Sequence, residues 1–252
     1  MRKLWSGVEA VGEVCLLTVD VGREFIKRPF ESDLIIEQLQ RGGVDSWSIT
    51  VLTAVFTGMV MAMQFAIGLE PFGASMYTGK LVSLGIIREL GPVLTALLVG
   101  GRVGAGFTAE LGTMAVTEQI DAIRCLGASP IRKLVMPRVV AMTFIMPLLT
   151  MLADVIGCCG GALITILQVG VTPSFAFSQM IETVSPTDLI HGLIKSVFFG
   201  YCIAILSCWV GMSARGGAES VGKATTSTVV YTSVTILIAD FILTRFLMAV
   251  YG

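Results

Sequence analysis

From Ser46 to Leu69 the chain runs for 24 residues without one charged side chain. As an α-helix this stretch would reach about 36 Å, against a hydrocarbon core of about 30 Å, so it can span a bilayer with some tilt. With 54% hydrophobic and only 14% charged residues over 252, the rest of the chain is equally unlike a soluble domain. The composition predicts an all-α integral membrane protein.

Five spans are expected, at about residues 46–69, 81–116, 135–169, 189–212 and 229–250. Residues 1–40 are expected to form an amphipathic interfacial helix and linker, and residues 41–252 the transmembrane domain. Leu4, Val8, Val11 and Cys15 recur at helical spacing, Arg23, Lys27 and Arg28 cluster near the helix end, and Pro29 is placed to terminate it. No apolar core with a cleavage site interrupts this segment, so no cleaved signal peptide is expected. Glu9, Glu13 and Asp20 are unlike the acid-poor leader of a plastid protein. The second span carries Gly91, Pro92, Gly100, Gly101, Gly104 and Gly106, the pattern of a long, broken and closely packed helix. Gly100 with Gly104 and Gly157 with Gly161 form two GxxxG pairs.

Basic residues fall on alternate connections. Arg124, Arg132, Lys133 and Arg138 lie between spans two and three, and Arg215 and Lys223 between four and five. Residues 70–80 hold one lysine and residues 168–188 no basic residue. Lysine and arginine are retained on the cytoplasmic side, so the N-terminus is expected there and the C-terminus outside.

Several functions are disfavoured. Cys15, Cys125, Cys158, Cys159, Cys202 and Cys208 contain no CxxC pair and are expected to be small buried hydrophobes. His191 is the single histidine, too little for a transition-metal site, and a net charge of −1 gives no hint of nucleic-acid binding. No HExxH, GxSxG or DxD pattern suggests an enzyme.

Between spans two and three, Thr117 to Leu126 reads as a short helix, with Thr117 as N-cap, Glu118 and Asp121 in the first turn, and Ile120, Ile123 and Leu126 on one face. Gly127 suits its stop. Such a helix could dock a cytoplasmic motor in a groove or rest on lipid headgroups.

A run of motifs then becomes specific. Arg-Glu-Leu-Gly-Pro-Val at 88–93, Gly-Arg-Val-Gly-Ala-Gly at 101–106, Thr-Ala-Glu-Leu-Gly at 108–112, Thr-Glu-Gln at 117–119 and Pro-Arg at 137–138 resemble the MlaE family of ABC-transporter permeases. The likeness continues through Gly58-Met59-Val60, Gln64, Ile194-Lys195-Ser196-Val197, Ala224-Thr225-Thr226 and Asp240-Phe241. The resemblance implies a homodimer in the bacterial inner membrane that moves phospholipids to or from an extracytoplasmic MCE-domain carrier. It also implies a cytoplasmic ABC ATPase and, in some systems, a STAS-domain protein. Thr117, Glu118, Gln119, Asp121 and Arg124 would then belong to the coupling helix that sits in the ATPase groove.

The chain offers no motor of its own. Gly73 to Leu81 has five residues between its glycines where a phosphate loop has four, and Leu81 where Ser or Thr is needed. ATP and Mg²⁺ would be bound by the partner, and no cofactor is expected in this chain.

Charges inside the apolar runs remain. A lone charge at a helix centre costs about 2.5 to 3.5 kcal/mol on insertion scales, so Arg88, Glu89 and Lys195 should be paired or should face a cavity. They can form an interhelical network, Glu89 with Lys195 or Arg88, that fixes packing. Alternatively Arg88 and Lys195 neutralise a lipid phosphate while Glu89 orients them. Both can hold. Acyl chains would rest on Met59, Met61, Met63, Phe65 and Phe72, beside Gln64, in a cavity between protomers walled by spans one, two and five. The same methionines could equally be ordinary packed or lipid-facing surface. Arg102 and Glu110 are read as a brace for the cytoplasmic loop, Asp154 and Asp240 as helix contacts to hydroxyls or backbone, and Arg245 as a snorkelling residue. The rival reading is an ion-coupled secondary transporter in which Glu89 and Asp240 titrate.

Overall fold

The structure is a computed structural model and describes residues 2–26 and 32–251. Among these no strand occurs. Eleven helices are described: α1 (Arg2–Ile26), α2 (Ser32–Gly43), α3 (Trp47–Leu69), α4 (Thr78–Gly85), α5 (Gly91–Val99), α6 (Ala105–Val116), α7 (Gln119–Cys125), α8 (Met136–Ile164), α9 (Pro173–Thr183), α10 (Pro186–Met212) and α11 (Ala218–Tyr251). Five helical stretches are long and apolar enough to cross a membrane: Ser32–Phe72, Ser75–Val116, Ile131–Val169, Pro186–Met212 and Ala218–Val250. Lys27, Arg28 and Pro29, expected to close the first helix, lie outside the described residues.

The second stretch is continuous, so its glycines and proline do not break it. Gly91-Pro92 and Gly100-Gly101 are absorbed by two π-helical turns, Ile86–Leu90 and Gly100–Gly104. A π turn widens the helix by one residue and tolerates a proline or glycine without ending it, and such turns gather at functional sites. Both hold charged residues, Arg88 with Glu89 in the first and Arg102 in the second.

The fifth helix starts at Ala218, well before residue 229, so Lys223 is helical and not in a loop. Apolarity reports the part of a helix inside the membrane, whereas the hydrogen-bonded helix continues into the polar region beyond. α9 was not foreseen, although Thr172 accepts a 3.4 Å hydrogen bond from the Phe175 amide and Pro173 follows at the first helical position, a start signal present in the sequence.

Two compact units make up the chain, and each takes part of every span. The first comprises Met1–Val44, Val99–Ile145 and Phe199–Leu237. In it α1 packs on the π turn Ile131–Val135. Among its side chains from residue 9 to 25 the buried ones are Leu17 and Val21, whereas Val11 and Cys15 of the expected apolar face are exposed; Leu4 and Val8 lie outside the described side chains. Gly104 meets α10, since a Cβ there would lie 2.9 Å from Ser207 Oγ and 3.2 Å from Ile203 Cγ2. That close approach lets the buried Thr108 hydroxyl bond the Ser207 carbonyl at 3.0 Å and the Thr228 hydroxyl at 2.8 Å, joining three helices. Gly104→Leu would wedge α10 away and orphan these groups. We expect it to abolish recovery of folded protein from detergent, and normal yield with an unchanged elution volume would refute the packing.

The second unit comprises Asp45–Leu98, Met146–Phe198 and Ile238–Gly252. Its centre is a backbone-to-backbone contact of α3 with α8. A Cβ at Gly58 would overlap the Gly157 carbonyl, and one at Gly160 would lie 2.6 Å from the Val55 carbonyl. Small residues at a membrane helix interface supply the close van der Waals packing that replaces the hydrophobic effect in lipid. Ala62, Val82, Ile86, Ala162 and Met180 close the core around it.

Of the six cysteines, only Cys208 is buried; Cys15, Cys125 and Cys159 are exposed and the other two intermediate. The expectation of six buried cysteines therefore fails, because in a membrane protein an apolar side chain can also face lipid.

Candidate functional site

Five charged residues of the second unit, Arg88, Glu89, Asp188, Lys195 and Asp240, converge at the π turn Ile86–Leu90. Lys195 lies on α10 with its side chain 2% exposed, and its ammonium donates to Glu89 Oε2 at 2.7 Å and to the Arg88 carbonyl at 3.0 Å. It also makes an ion pair with Asp240 Oδ1 on α11 at 3.0 Å. Two hydrogen bonds and one further ion pair thus surround the ammonium, which is how a lysine can be buried in a membrane span. Thr244, one helical turn after Asp240, donates to both Glu89 oxygens at 3.3 and 3.4 Å.

Arg88 takes a different partner. Its guanidinium Nε and Nη2 both contact Asp188 Oδ1. Asp188 is held in turn by the start of α10, where its Oδ2 accepts from the Ser185 amide and hydroxyl, each at 2.9 Å, and the Asp188 amide meets Ser185 Oγ at 3.4 Å. Ser185-Pro186-Thr187-Asp188 is a capping box with proline at the first helical position. Asp188 was missed by sequence reasoning, yet this capping pattern was the signal that could have found it.

Arg88, Glu89 and Lys195 line one cavity of about 110 Å³ together with Thr187, His191, Thr244, Leu247 and Met248. Lys195 is held by two hydrogen bonds and the Asp240 ion pair. The Arg88 side chain remains 41% exposed and is the cation able to meet a ligand there. Glu89 pairs with Lys195 and not with Arg88, and the network ties α10 and α11 to the π turn.

Gln64, Met61 and Phe72 are not brought into this cavity. Met61 and Phe65 pack on the core of the second unit, whereas Gln64, Met63 and Phe72 are exposed, Phe72 to 81%. A larger apolar cavity of about 450 Å³ lies elsewhere in that unit, among Ile87, Met151, Val155, Phe177, Ile181 and Leu193. Asp154 borders it with 7% exposure, its Oδ1 having no hydrogen-bond partner and packing at the place where a Gly91 Cβ would be. It therefore lacks the hydroxyl or backbone partner expected for it.

In the first unit the short helix α7 follows a sharp turn. Glu118 is its N-cap and adopts a left-handed φ of 59°, while Thr117 caps the end of α6 and donates to the Thr113 carbonyl at 2.8 Å. Thr117 is not the N-cap, because α6 runs on to Val116 and the reversal needs a residue of positive φ. Thr117, Glu118, Gln119, Asp121 and Arg124 are all exposed, with Asp121 and Arg124 paired at 3.1 Å. Ile120 is buried, Ile123 half-buried and Leu126 85% exposed, so the expected single apolar face is split. Gly127 closes the helix at φ 76°. Glu110 is bracketed by Arg41 at 2.8 Å and Arg138 at 2.7 Å, and Arg138 also lies over the Phe107 ring at 5.4 Å. Arg102 is not Glu110's partner.

Comparison with known proteins settles the family. The model for the family described as Permease MlaE matches residues 35–246. The chain belongs to the MlaE permease family. A probable ABC transporter permease protein of Rickettsia conorii is 39% identical over 237 residues, 94% of this chain and 92% of that one. The intermembrane phospholipid transport system permease protein MlaE of Haemophilus influenzae is 37% identical over 225 residues, 89% and 85% of the two chains. The chloroplastic protein trigalactosyldiacylglycerol 1 of Arabidopsis thaliana is 39% identical over 245 residues, 97% and 69% of the two. Membership of an ABC permease family is at odds with the ion-coupled alternative. In this MlaE-family chain the charged residues of the cavity, Arg88, Glu89 and Lys195, and α7 all fall inside the matched region.

Proposed function

We propose that this chain is the membrane subunit of an ABC transporter that moves phospholipids between the bacterial inner membrane and an extracytoplasmic MCE-domain carrier. The observation that carries the lipid reading is the cavity at Arg88, where a half-exposed guanidinium sits beside apolar Leu247 and Met248 within otherwise membrane-grade sequence. A guanidinium binds phosphate through paired N–H donors, and an apolar neighbour suits the start of an acyl chain. Lys195 and Glu89 fix the wall, and Arg88 meets the headgroup. The name of the Haemophilus influenzae relative supports phospholipid as the substrate.

Energy enters through α7. Its outward Glu118, Gln119, Asp121 and Arg124 and its bare Leu126 suit a groove on a cytoplasmic ATPase, which binds ATP and Mg²⁺ itself. The basic connections favour a cytoplasmic side for α7 and the N-terminus, and a periplasmic C-terminus. Faces left bare on the first and fifth spans, whose most apolar windows have only 17% and 11% of residues buried, leave room for a second copy and support a homodimer. A second copy would bring Met61 and Gln64 of each α3, with Phe72 just beyond its end, toward a shared lipid chamber. A STAS-domain protein is a further candidate partner.

Affinity purification of the tagged chain in mild detergent, with mass spectrometry of the proteins and lipids it retains, tests this reading. An ABC ATPase, an MCE-domain protein and bound phospholipid are expected. A chain that purifies alone and drives ion-dependent uptake in liposomes would overturn it.

A further inference from the structure

A second polar cavity opens at the opposite kind of loop, in the first unit. It measures about 310 Å³ and is lined by the end of α10 and the start of α11, including Trp209, Ser213, Arg215, Ser220, Lys223 and Tyr231. Gly216 and Gly217, at φ 99° and 93°, make the tight reversal that presents Arg215 at its edge.

Three features define its depth and its chemistry. Trp209 donates its indole N–H to Glu13 Oε2 of α1 at 2.8 Å, and its ring lies 6.3 Å from that of Tyr231. A paired Trp and Tyr beside an amphipathic helix is the pattern of the headgroup layer, where an aromatic body meets lipid and its polar edge meets water. Arg215, Lys223 and the Ser227 hydroxyl offer donors for a phosphate, while Ser213 and Ser220 donate to the Trp209 and Gly217 carbonyls at 2.8 and 2.6 Å. The cluster is nevertheless charge-balanced, because Lys223 is paired with Glu219 at 2.7 Å and Glu13 sits on the indole.

We propose that this cavity binds the headgroup of an ammonium-bearing zwitterionic phospholipid from the leaflet on the α1 side. The phosphate is taken by Arg215 with Lys223 and Ser227, and the ammonium lies against the Trp209 and Tyr231 ring faces near the carboxylates, where aromatic quadrupoles favour a cation. A lipid with a net negative charge would satisfy the cations but leave the aromatic and carboxylate side unmatched. The site is separate from the Arg88 cavity, and the proposal rests on the membrane reading above only for the presence of a bilayer at this level.

Trp209 itself is the reporter. With Trp5→Phe and Trp47→Phe leaving one tryptophan, the protein is placed in nanodiscs whose phosphatidylethanolamine, phosphatidylcholine or phosphatidylglycerol carries acyl-chain bromines, the overall composition being constant. Quenching by the brominated phosphatidylethanolamine is expected to exceed that by phosphatidylglycerol about twofold or more, with phosphatidylcholine between them. Arg215→Ala with Lys223→Ala should level the three, and Arg215→Lys should keep part of the difference. Equal quenching by all three lipids in the parent overturns the site, and so does stronger quenching by phosphatidylglycerol. If the double variant keeps its lipid preference but no longer copurifies with the ATPase, the cavity is a protein contact and the proposal fails. Should the double variant fail to fold, the three-lipid comparison in the parent decides alone. None of these outcomes depends on whether the chain transports lipid.

Discussion

Lys195→Met is expected to be among the most damaging single substitutions in the chain. It removes the one ammonium that serves Glu89, Asp240 and the Arg88 carbonyl, and leaves two carboxylates facing each other beside a π turn with an unpaired carbonyl. Removing one partner of a buried pair costs about 3 to 5 kcal/mol, because the remaining charge keeps its desolvation penalty. Folded yield and thermal stability in detergent should both fall sharply. Lys195→Met combined with Glu89→Gln and Asp240→Asn removes the uncompensated charge and should recover much of the fold. If the network serves packing alone, this triple variant also recovers lipid transfer; if the network orients Arg88 for a headgroup, transfer stays low. A stable Lys195→Met single variant would refute the role of the lysine as the charge that balances Glu89 and Asp240.

Glu110→Ala is expected to have the next largest effect, of a different kind. Arg138 keeps only 8% side-chain exposure and would lose its carboxylate, while Arg41 would lose the link from α2 to α6 and keep only Glu37 at 2.7 Å. A destabilisation of about 2 to 3 kcal/mol follows, less than for Lys195 because Glu110 is itself 41% exposed and screened. Since α6 leads through Thr117 directly into α7, the substitution should also loosen the base on which α7 stands. Lipid-stimulated ATP hydrolysis by the assembled transporter should drop by about tenfold, the equivalent of about 1.4 kcal/mol of coupling, with Glu110→Asp intermediate. Unchanged stimulation in a stable Glu110→Ala transporter would remove Glu110 from the coupling path.

The sequence made some of this arrangement visible and hid the rest for physical reasons. Charge-free runs such as Ser46–Leu69 announced the spans, since a bilayer imposes both length and apolarity. The GxxxG glycines at 104 and 157 marked places where helices meet closely, whereas Gly58 and Gly160, whose neighbours are backbone carbonyls, stood out in no packing pattern. Pairing was harder: Lys195 and Glu89 are 106 positions apart, and nothing local says that Asp240 joins them while Arg88 turns to Asp188. The π turns were also illegible, because Gly91-Pro92 reads as a break until tertiary packing absorbs the extra residue. Thr117 shows a further limit. As a residue type it suits an N-cap, but the continuation of α6 through Val116 moves that duty to Glu118. Exposed apolar residues such as Phe72 and Leu126 were legible in composition only, since a single chain does not reveal which surface meets lipid, a second copy or a motor.

Lipid transfer by purified components tests the central claim most directly. The chain, its ATPase and its carrier protein are reconstituted in liposomes that contain fluorescent phospholipid, and exchange between membrane and carrier is followed with and without ATP. ATP-dependent exchange that falls about tenfold or more in Arg88→Ala, while the variant still assembles with the ATPase, is the predicted result. Exchange that ignores ATP and follows an ion gradient, or that is untouched by Arg88→Ala, would contradict the account.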